Sequence, residues 1–293
     1  MNWSARALSG RRSEDRVIMC LVGLSDAPMN TTVLLDRDGA IATLTLNRPA
    51  SLNALESEMI EALITHSAAL AADDSVRCVI IKGAGRHFMA GGDIRAFGDQ
   101  LAGAPSDRRQ HFTRMVEHMH AAIENLQRMP HPVLASVHGA VAGFGLSLMC
   151  ACDLAIASDS SYFTSAYRHL GLTPDGGMSY TLPRLVGPKK ATEIVLLGER
   201  FDAAEALKLG LVNRVVPESE LQVTTDRLAM ALATGPVLAI RNGKRLLSQS
   251  LSQSLSAQLQ SEAQSFCACA ATEDFAEGVR AFLDKRAPRF GDC

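Results

Sequence analysis

Aromatic side chains are scarce in this chain: one tryptophan, three tyrosines and an aromatic content of 5% in 293 residues. An excess of either charge is missing too, the formal net charge being −2. Without stacking side chains or a basic field, neither nucleic acid nor an anionic membrane is an expected partner. The seven cysteines, at 20, 78, 150, 152, 267, 269 and 293, are odd in number and several sit in apolar runs. That usage predicts reduced thiols and a cytoplasmic protein rather than a disulfide framework. The two Cys-X-Cys pairs lack the wider Cys and His spacing of a zinc site. Cys150 and Cys152 read as core, Cys267 and Cys269 as a helix face, and no metal site is expected. The N-terminal apolar run from Val17 to Leu24 makes a poor secretory signal, because Glu14 and Asp15 precede it and no small-X-small cleavage site follows. Residues 1–29, with their scattered arginines, are expected to form a poorly ordered extension. An Arg-rich targeting peptide is the alternative.

What is present is an ordinary globular composition, 47% hydrophobic and 20% charged, over a length that suits one large domain or a core with a smaller appendage. One stretch organises it. Between Val133 and Cys152 there is no Asp, Glu, Lys or Arg, a run long enough to raise the question of a membrane span. Gly139, Gly143, Gly145, His138 and two serines argue against one. A β-branched start, closely spaced glycines, then Leu146, Leu148 and Met149 read as strand, turn and buried helix. Such a turn presents backbone N–H groups at a helix N-terminus, where they hold negative charge.

The same order occurs just upstream. Val76 to Lys82 reads as a buried strand, ending in Gly83-Ala84-Gly85 and then Phe88-Met89-Ala90-Gly91-Gly92-Asp93-Ile94, a second glycine turn opening a helix. Before it, two β-rich runs (Val33 to Leu35, Ala40 to Leu46) are joined across Asp36-Arg37-Asp38-Gly39 as a hairpin, and a helix is expected from Glu56 to Ala72. Another helix is expected from Gln110 to Arg128. Beyond the opening stretch come a strand, Leu154 to Ser158, and a loop, Gly171 to Gly177, with Asp175 at its centre. Asp202 and Glu205 form a possible capping box, and Gly210 is placed to stop that helix. Residues 218–293 read as helical. Alternating strands and helices predict a layered α/β domain.

Two glycine turns, each after a strand and before a helix, can each give one N–H to a single oxygen and so build an oxyanion hole. Close packing and phosphate binding are the other readings, the latter weakened because neither Gly-X-Gly-X-X-Gly nor Gly-Lys-Ser/Thr occurs there. Pro174-Asp175-Gly176-Gly177 suits either a working carboxylate or a turn residue capping the next helix. His87 and His138 read as structural, and Ser147 has no evident His–Asp partner.

Asn47-Arg48-Pro49 with Leu52-Asn53-Ala54-Leu55, Phe88 to Ile94, His138-Gly139 to Asp153, Gly171 to Gly177, Ala203 to Asn213 and Glu277 to Arg286 stand in order and at suitable spacing. Over residues 30–290 the chain thereby resembles the enoyl-CoA hydratase/isomerase (crotonase) superfamily, nearest in motif to its epoxyphenylacetyl-CoA and enoyl-CoA isomerase branch. The resemblance implies an α/β fold, a spiral of β-β-α turns over residues 30–217. It also implies a helical C-terminal trimerisation region over 218–293 and homotrimers or dimers of trimers. Coenzyme A would enter as part of an acyl-CoA substrate, with no separate cofactor.

By the same resemblance the N–H groups of Ala90 and Phe144 hold the thioester oxygen, and Asp175 is the proton shuttle. Substrate contacts are implied at Ala50, Leu52, Gly91, Gly92, Asp93, Ile94, Gly143 and Tyr167, and at Phe282 and Lys285 toward the nucleotide, often of a neighbouring subunit. Phe144 stands where members with three consecutive glycines have glycine. The two positions that hold a glutamate pair in hydratases are Ser147 and Tyr167, neither of which is acidic at neutral pH. A double-bond shift through one carboxylate is therefore the expected chemistry. Hydration or thioester hydrolysis by Asp175 and a water, and acyl-CoA binding without catalysis, are the alternatives. Phe144, Tyr162, Tyr167 and Met178 suit an apolar or aromatic acyl pocket, or core.

Overall fold

Runs of apolar residues without charge become strands buried on both faces, as parallel sheets require. The computed structural model describes residues 32–291, and the extension expected over residues 1–29 lies outside them. The first hairpin joins β1 (Val33–Asp38) to β2 (Ile41–Leu46), with Asp38 paired to Ile41. The turn is therefore Gly39-Ala40 alone, and Asp36, Arg37 and Asp38 belong to the strand. They fit because β1 is an edge strand, where charged side chains discourage pairing with other chains.

Helix α1 (Ser57–Ala71) starts where the Glu56 carboxylate accepts the N–H groups of Glu58 and Met59 at 3.0 and 2.8 Å. It buries Met59, Leu63 and Leu70. Strand β3 (Cys78–Gly83) follows, then the short α2 (Ile94–Asp99) and the long α3 (Pro105–Arg128). Helix α3 begins five residues before the expected start. Its first turn is polar and carries no apolar period, but Pro105 and Asp107 are good residues for a helix start.

The chain then builds a repeating unit. Strands β4 (Val133–Val137) and β5 (Ala140–Ala142) lead into α4 (Phe144–Ala151). Strands β6 (Leu154–Ser158) and β7 (Tyr162–Thr164) lead into α5 (Met178–Val186) and α6 (Pro188–Leu197). Then β8 (Phe201–Asp202), α7 (Ala203–Lys208) and β9 (Arg214–Val216) complete the core. The Asp202 carboxylate caps α7 through the Glu205 N–H at 2.8 Å.

Strands β1, β2, β3, β4, β6 and β9 form one sheet in that order, parallel after the first pair. Strands β5, β7 and β8 form a second sheet, to which Met89 adds a parallel bridge with Val141. Each turn thus contributes a strand to the large sheet, a segment to the small one and a helix. This spiral stacks the segments after β3, β5 and β7 side by side, which brings both glycine turns and the Asp175 loop to one place.

Past β9 the chain is helical: α8 (Leu221–Ala233), α9 (Val237–Gln249), α10 (Leu255–Ala270) and α11 (Glu273–Leu283). Helix α9 is fastened to the core by Lys244, whose Nζ reaches the Asp153 carboxylate at 2.6 Å and the carbonyls of His131 and Leu126 at 2.9 and 3.3 Å. Among the described residues no helix is long and apolar enough to cross a membrane, and the charge-free stretch is core strand and helix.

Candidate active site

The two glycine turns meet backbone to backbone. A Cβ on Gly143 would lie 3.3 Å from the Gly91 Cα, and one on Gly91 would lie 3.4 Å from the Ala142 carbonyl oxygen. Gly91 also sits at φ +102°, which an L side chain resists. Phe144 opens α4 and is not among the non-glycine residues at positive φ; Gly143, at φ +53°, takes the unusual conformation instead. The Phe144 amide belongs to the first turn of α4, where N–H groups have no partner in the helix. Among the described residues it donates to no protein acceptor.

On the other turn the expected donor, Ala90, lines the cavity, and its N–H has a protein acceptor. The Ala90 N–H is taken by the Leu52 carbonyl at 3.1 Å. Next along the chain, the Gly91 carbonyl accepts from Leu55 N–H at 2.7 Å and the Asp93 N–H donates to the Leu55 carbonyl at 2.9 Å. That parallel bridge flanks Gly92 and leaves Gly92's own N–H directed away from Leu55, because successive residues of an extended chain present their polar groups to opposite edges. Gly92 lines the cavity and its amide donates to no protein acceptor among the described residues. The amides of Gly92 and Phe144 thus border the cavity without a protein acceptor among the described residues, as does that of Gly91, and Ala90 lines the same cavity.

Asn53 explains why Ala90 is occupied. Its side chain is fully buried and donates to the carbonyls of Ala84, His87 and Phe88, while Oδ1 accepts the Arg48 N–H at 2.8 Å. This side chain pins the loop of Ala50 and Leu52 against the glycine turn. Arg48 adds bonds to the Ala54 carbonyl at 2.5 Å and to Asp93 at 3.0 Å. Asp93 also caps α2 through the Arg95 N–H at 3.1 Å, so its carboxylate is structural and does not line the cavity. His87 and His138 are structural as well. Nδ1 of His87 accepts the Ala140 N–H at 3.1 Å, and Nε2 of His138 lies 2.8 Å from the Gly85 carbonyl.

Asp175 faces the same cavity, half-buried. Its side chain does not cap α5, whose start is Gly177 without a side-chain cap. Instead the Tyr167 hydroxyl donates to Asp175 Oδ1 at 2.5 Å, the Ser147 and Tyr167 hydroxyls are 3.1 Å apart, and Ser147 Oγ donates to the Asp175 carbonyl at 2.9 Å. Of the two residues at the hydratase glutamate positions, Tyr167 therefore holds the Asp175 carboxyl group, and Ser147 holds the Asp175 main chain and meets the Tyr167 hydroxyl. Burial pushes the Asp175 carboxyl above its ordinary range, against the opposing pull of the Tyr167 hydroxyl and the nearby His120. Burial and the adjoining Asp175 likewise push the Tyr167 hydroxyl up, so it stays a donor.

The remaining cavity, about 280 Å³, is walled by Leu55, Ile94, Phe97, Phe112, Met115 and Leu172 among others. Phe97 and Phe112 meet edge to face at 4.9 Å. Of the expected wall residues, Phe144 and Tyr167 line the cavity, whereas Met178 is fully buried core and Tyr162 lies under the Arg200 guanidinium elsewhere. Phe282 and Lys285 lie near the C-terminal end of α11, exposed. Phe282 borders a separate groove against α9, so a single chain does not bring it to Asp175. His120 and the Phe97–Phe112 pair were missed from sequence, although Phe112, Val116 and His120 recur every four residues along α3. Among the described residues no group of His, Cys, Asp or Glu is arranged to hold a metal ion.

The family described as enoyl-CoA hydratase/isomerase matches residues 36–293. The trans-2-decenoyl-[acyl-carrier-protein] isomerase of Streptococcus mutans is 33% identical over 258 residues, covering 88% of this chain and 97% of its own length. The 1,2-epoxyphenylacetyl-CoA isomerase of Escherichia coli is 34% identical over 258 residues, with the same 88% and 97% coverage. The crystal structure of an enoyl-CoA hydratase from Polaromonas sp. JS666 is similar at a TM-score of 0.82 and 34% identity, covering 88% of this chain and 99% of that one. Isomerases and a hydratase stand at nearly equal distance, so identity alone does not choose between them.

Proposed function

The chain belongs to the enoyl-CoA hydratase/isomerase family, with its crotonase-type α/β fold, and from that premise we propose that it is an isomerase that shifts a double bond in an enoyl-CoA thioester. One observation carries the choice: Asp175 is the single carboxylate among the described residues lining the cavity. Hydration across a double bond by the two-glutamate route needs a second. A double-bond shift needs one.

The thioester carbonyl accepts the N–H group of Phe144 and one from the Ala90-Gly91-Gly92 turn, where the Gly92 N–H has no protein acceptor among the described residues. The Asp175 carboxylate takes a proton from the carbon next to the carbonyl, and the electron pair passes into the dienolate, whose oxygen carries the charge. Hydrogen bonds to that oxygen strengthen as it becomes anionic, which lowers the barrier rather than merely binding substrate. Protonated Asp175 then returns the proton to the far carbon of the dienolate, the double bond moves into conjugation and the carbonyl re-forms. Atoms are conserved and no cofactor takes part; coenzyme A belongs to the substrate.

The apolar and aromatic wall supports an apolar or aromatic acyl group. The exposed Leu255, Phe266 and Phe282 of the C-terminal helices support a homotrimer or dimer of trimers, since apolar surface of that kind marks contacts between chains. The free cysteines support a cytoplasmic setting.

The test is Asp175→Asn and wild type on a panel of 3-enoyl and ring acyl-CoA thioesters, with products weighed and separated. Mass-neutral isomers from wild type, reduced at least a thousandfold in a folded Asp175→Asn protein, are expected. Water adducts or released CoA as the main product would make it a hydratase or hydrolase, and unchanged turnover in the variant would remove Asp175 from the chemistry.

A further inference from the structure

Asp175 as the working base is the reading on which this inference rests. We propose that Ser147 is a positioning residue of the same site: from α4 it ties the Asp175 main chain directly and the Asp175 carboxylate through Tyr167, and so keeps the carboxylate aimed at the substrate.

The hydroxyl of Ser147 is fully buried and serves both ends of one residue. Its Oγ donates to the Asp175 carbonyl at 2.9 Å and lies 3.1 Å from the Tyr167 hydroxyl. That hydroxyl donates to Asp175 Oδ1 at 2.5 Å. The contacts close a ring that begins and ends on Asp175. An aspartate on a loop otherwise turns about two side-chain bonds and moves with its backbone. The surroundings of Asp175 would permit both, since Gly176 and Gly177 follow at φ +57° and +76°. Holding the carbonyl at one end and Oδ1 at the other removes these freedoms and leaves Oδ2 to meet the substrate's proton.

Packing alone does not account for this hydroxyl. A buried serine or threonine on a helix has a nearer partner, the carbonyl four residues back. Thr181, Thr225 and Ser265 of this chain, all buried, use it, on the carbonyls of Gly177, Leu221 and Ser261. Ser147 does not. The Gly143 carbonyl takes the main-chain N–H groups of Leu146 and Ser147 at 3.0 and 3.2 Å, and Oγ crosses to a segment 28 positions on. Every residue of α4 is buried, so the anchor is rigid. Its first residue is Phe144, three positions from Ser147 and therefore a neighbour on the helix. The helix that holds the base thus also carries the proposed oxyanion donor, and a misplacement of about 1 Å between two such groups can cost about a hundredfold in rate.

The experiment is Ser147→Ala, alone and combined with Tyr167→Phe. Alone it is expected to lower kcat for the isomerisation about ten- to a hundredfold with little change in KM. In the Tyr167→Phe background the carboxylate end is already loose, so the same substitution should lower kcat by a smaller factor. A second assay follows by mass the exchange of the α-protons of phenylacetyl-CoA into D2O, which needs a base and an oxyanion site but no double bond to shift. Ser147→Ala should slow that exchange as much as it slows isomerisation. Ser147→Cys, which keeps only a weak donor, repeats both tests should the alanine variant fail to unfold cooperatively. Unchanged kcat and exchange, a loss carried by KM, or equal factors in both backgrounds overturns the proposal and leaves Ser147 as packing. Exchange without isomerisation in the wild type removes the isomerase reading while the exchange rates still decide the role of Ser147. Neither reaction in the wild type removes Asp175 as the base and this inference with it.

Discussion

Tyr167→Phe isolates the hydroxyl that holds the candidate base. In the folded protein this hydroxyl donates to Asp175 Oδ1 at 2.5 Å and meets Ser147 Oγ at 3.1 Å. A hydrogen bond to an ionised group is worth about 1.5–3 kcal/mol net, and each pH unit of displacement corresponds to about 1.4 kcal/mol. Removing the donor should therefore raise the Asp175 pKa by roughly one to two pH units. The sign follows from the direction already present. Burial raises the folded pKa above the ordinary 3.8, so the ionised carboxylate costs stability above that folded pKa, and the cost disappears as pH falls below the unfolded value.

Without the hydroxyl that cost grows. The Tm deficit of Tyr167→Phe against wild type should be largest at neutral pH and shrink on acidification, where only a neutral hydrogen bond of about 0.5–1.5 kcal/mol is lost. In kinetics the acid limb of kcat/KM should move up by the same one to two pH units, with activity recovering at alkaline pH. The assays are a pH series of kcat/KM on an enoyl-CoA substrate and of thermal unfolding. An acid limb that stays in place, or a loss independent of pH, would show that the hydroxyl shapes the pocket without holding the base.

Three other perturbations test separate parts of the site and its support. Asp175→Asn removes a carboxylate whose ionised form burial disfavours, so at neutral pH its Tm should rise by roughly 2–4 °C, a gain that fades toward pH 4; a lower Tm at neutral pH would contradict the stated burial cost. Gly91→Ala forces a side chain to φ +102° and puts its Cβ 3.4 Å from the Ala142 carbonyl. A strain of about 1–3 kcal/mol on the turn that carries the Gly92 amide should lower kcat about ten- to a hundredfold, while the Asp175 titration stays put. Full activity would remove this turn from the oxyanion site. Lys244→Met removes the nearly buried cation that lies 2.6 Å from the partly exposed Asp153 carboxylate. It should cost about 3 kcal/mol in urea unfolding, and a loss under 1 kcal/mol would mean that α9 is held by apolar packing instead.

How far the site could be read from residues depended on whether its signal was local. The strands Leu154–Ser158 and Ile41–Leu46 are apolar runs bounded by turns, and the Asp202 cap is spelled out within four residues. The Asp175 turn announced itself in the same way, through Pro174 and two glycines. That the Ala90 N–H has a protein partner was not legible, because its acceptor, the Leu52 carbonyl, comes from a loop 38 positions earlier in sequence. That loop is pinned by Asn53, whose side chain reaches the carbonyls of Ala84, His87 and Phe88, more than 30 positions away in sequence. His120 escaped for a related reason. Its four-residue spacing with Phe112 and Val116 is visible in sequence, but that pattern says only that they share a face. What the face looks onto is decided by Ile123 meeting Gly177, a contact between segments that no local period encodes.

Phe144 ties the two halves of the proposed chemistry together. Its amide borders the cavity at the start of α4, while its ring, 2% exposed, lies against the loop that carries the base. A Cβ on Gly176 would stand 2.8 Å from the ring's Cε2 and 2.9 Å from the Ser147 Cβ, so the chain after Asp175 is in van der Waals contact with the residue that supplies the donor. Glycine at 144 would keep the N–H and lose this contact, leaving a void beneath the loop. The side chain that looked intrusive in sequence therefore sets the height of the Asp175 turn above α4. An oxyanion donor and a base must be held within a few tenths of an ångström of each other's working positions. Here one residue does both, through its main chain on one side and its ring on the other, with Gly143 absorbing the backbone conformation that lets them coexist.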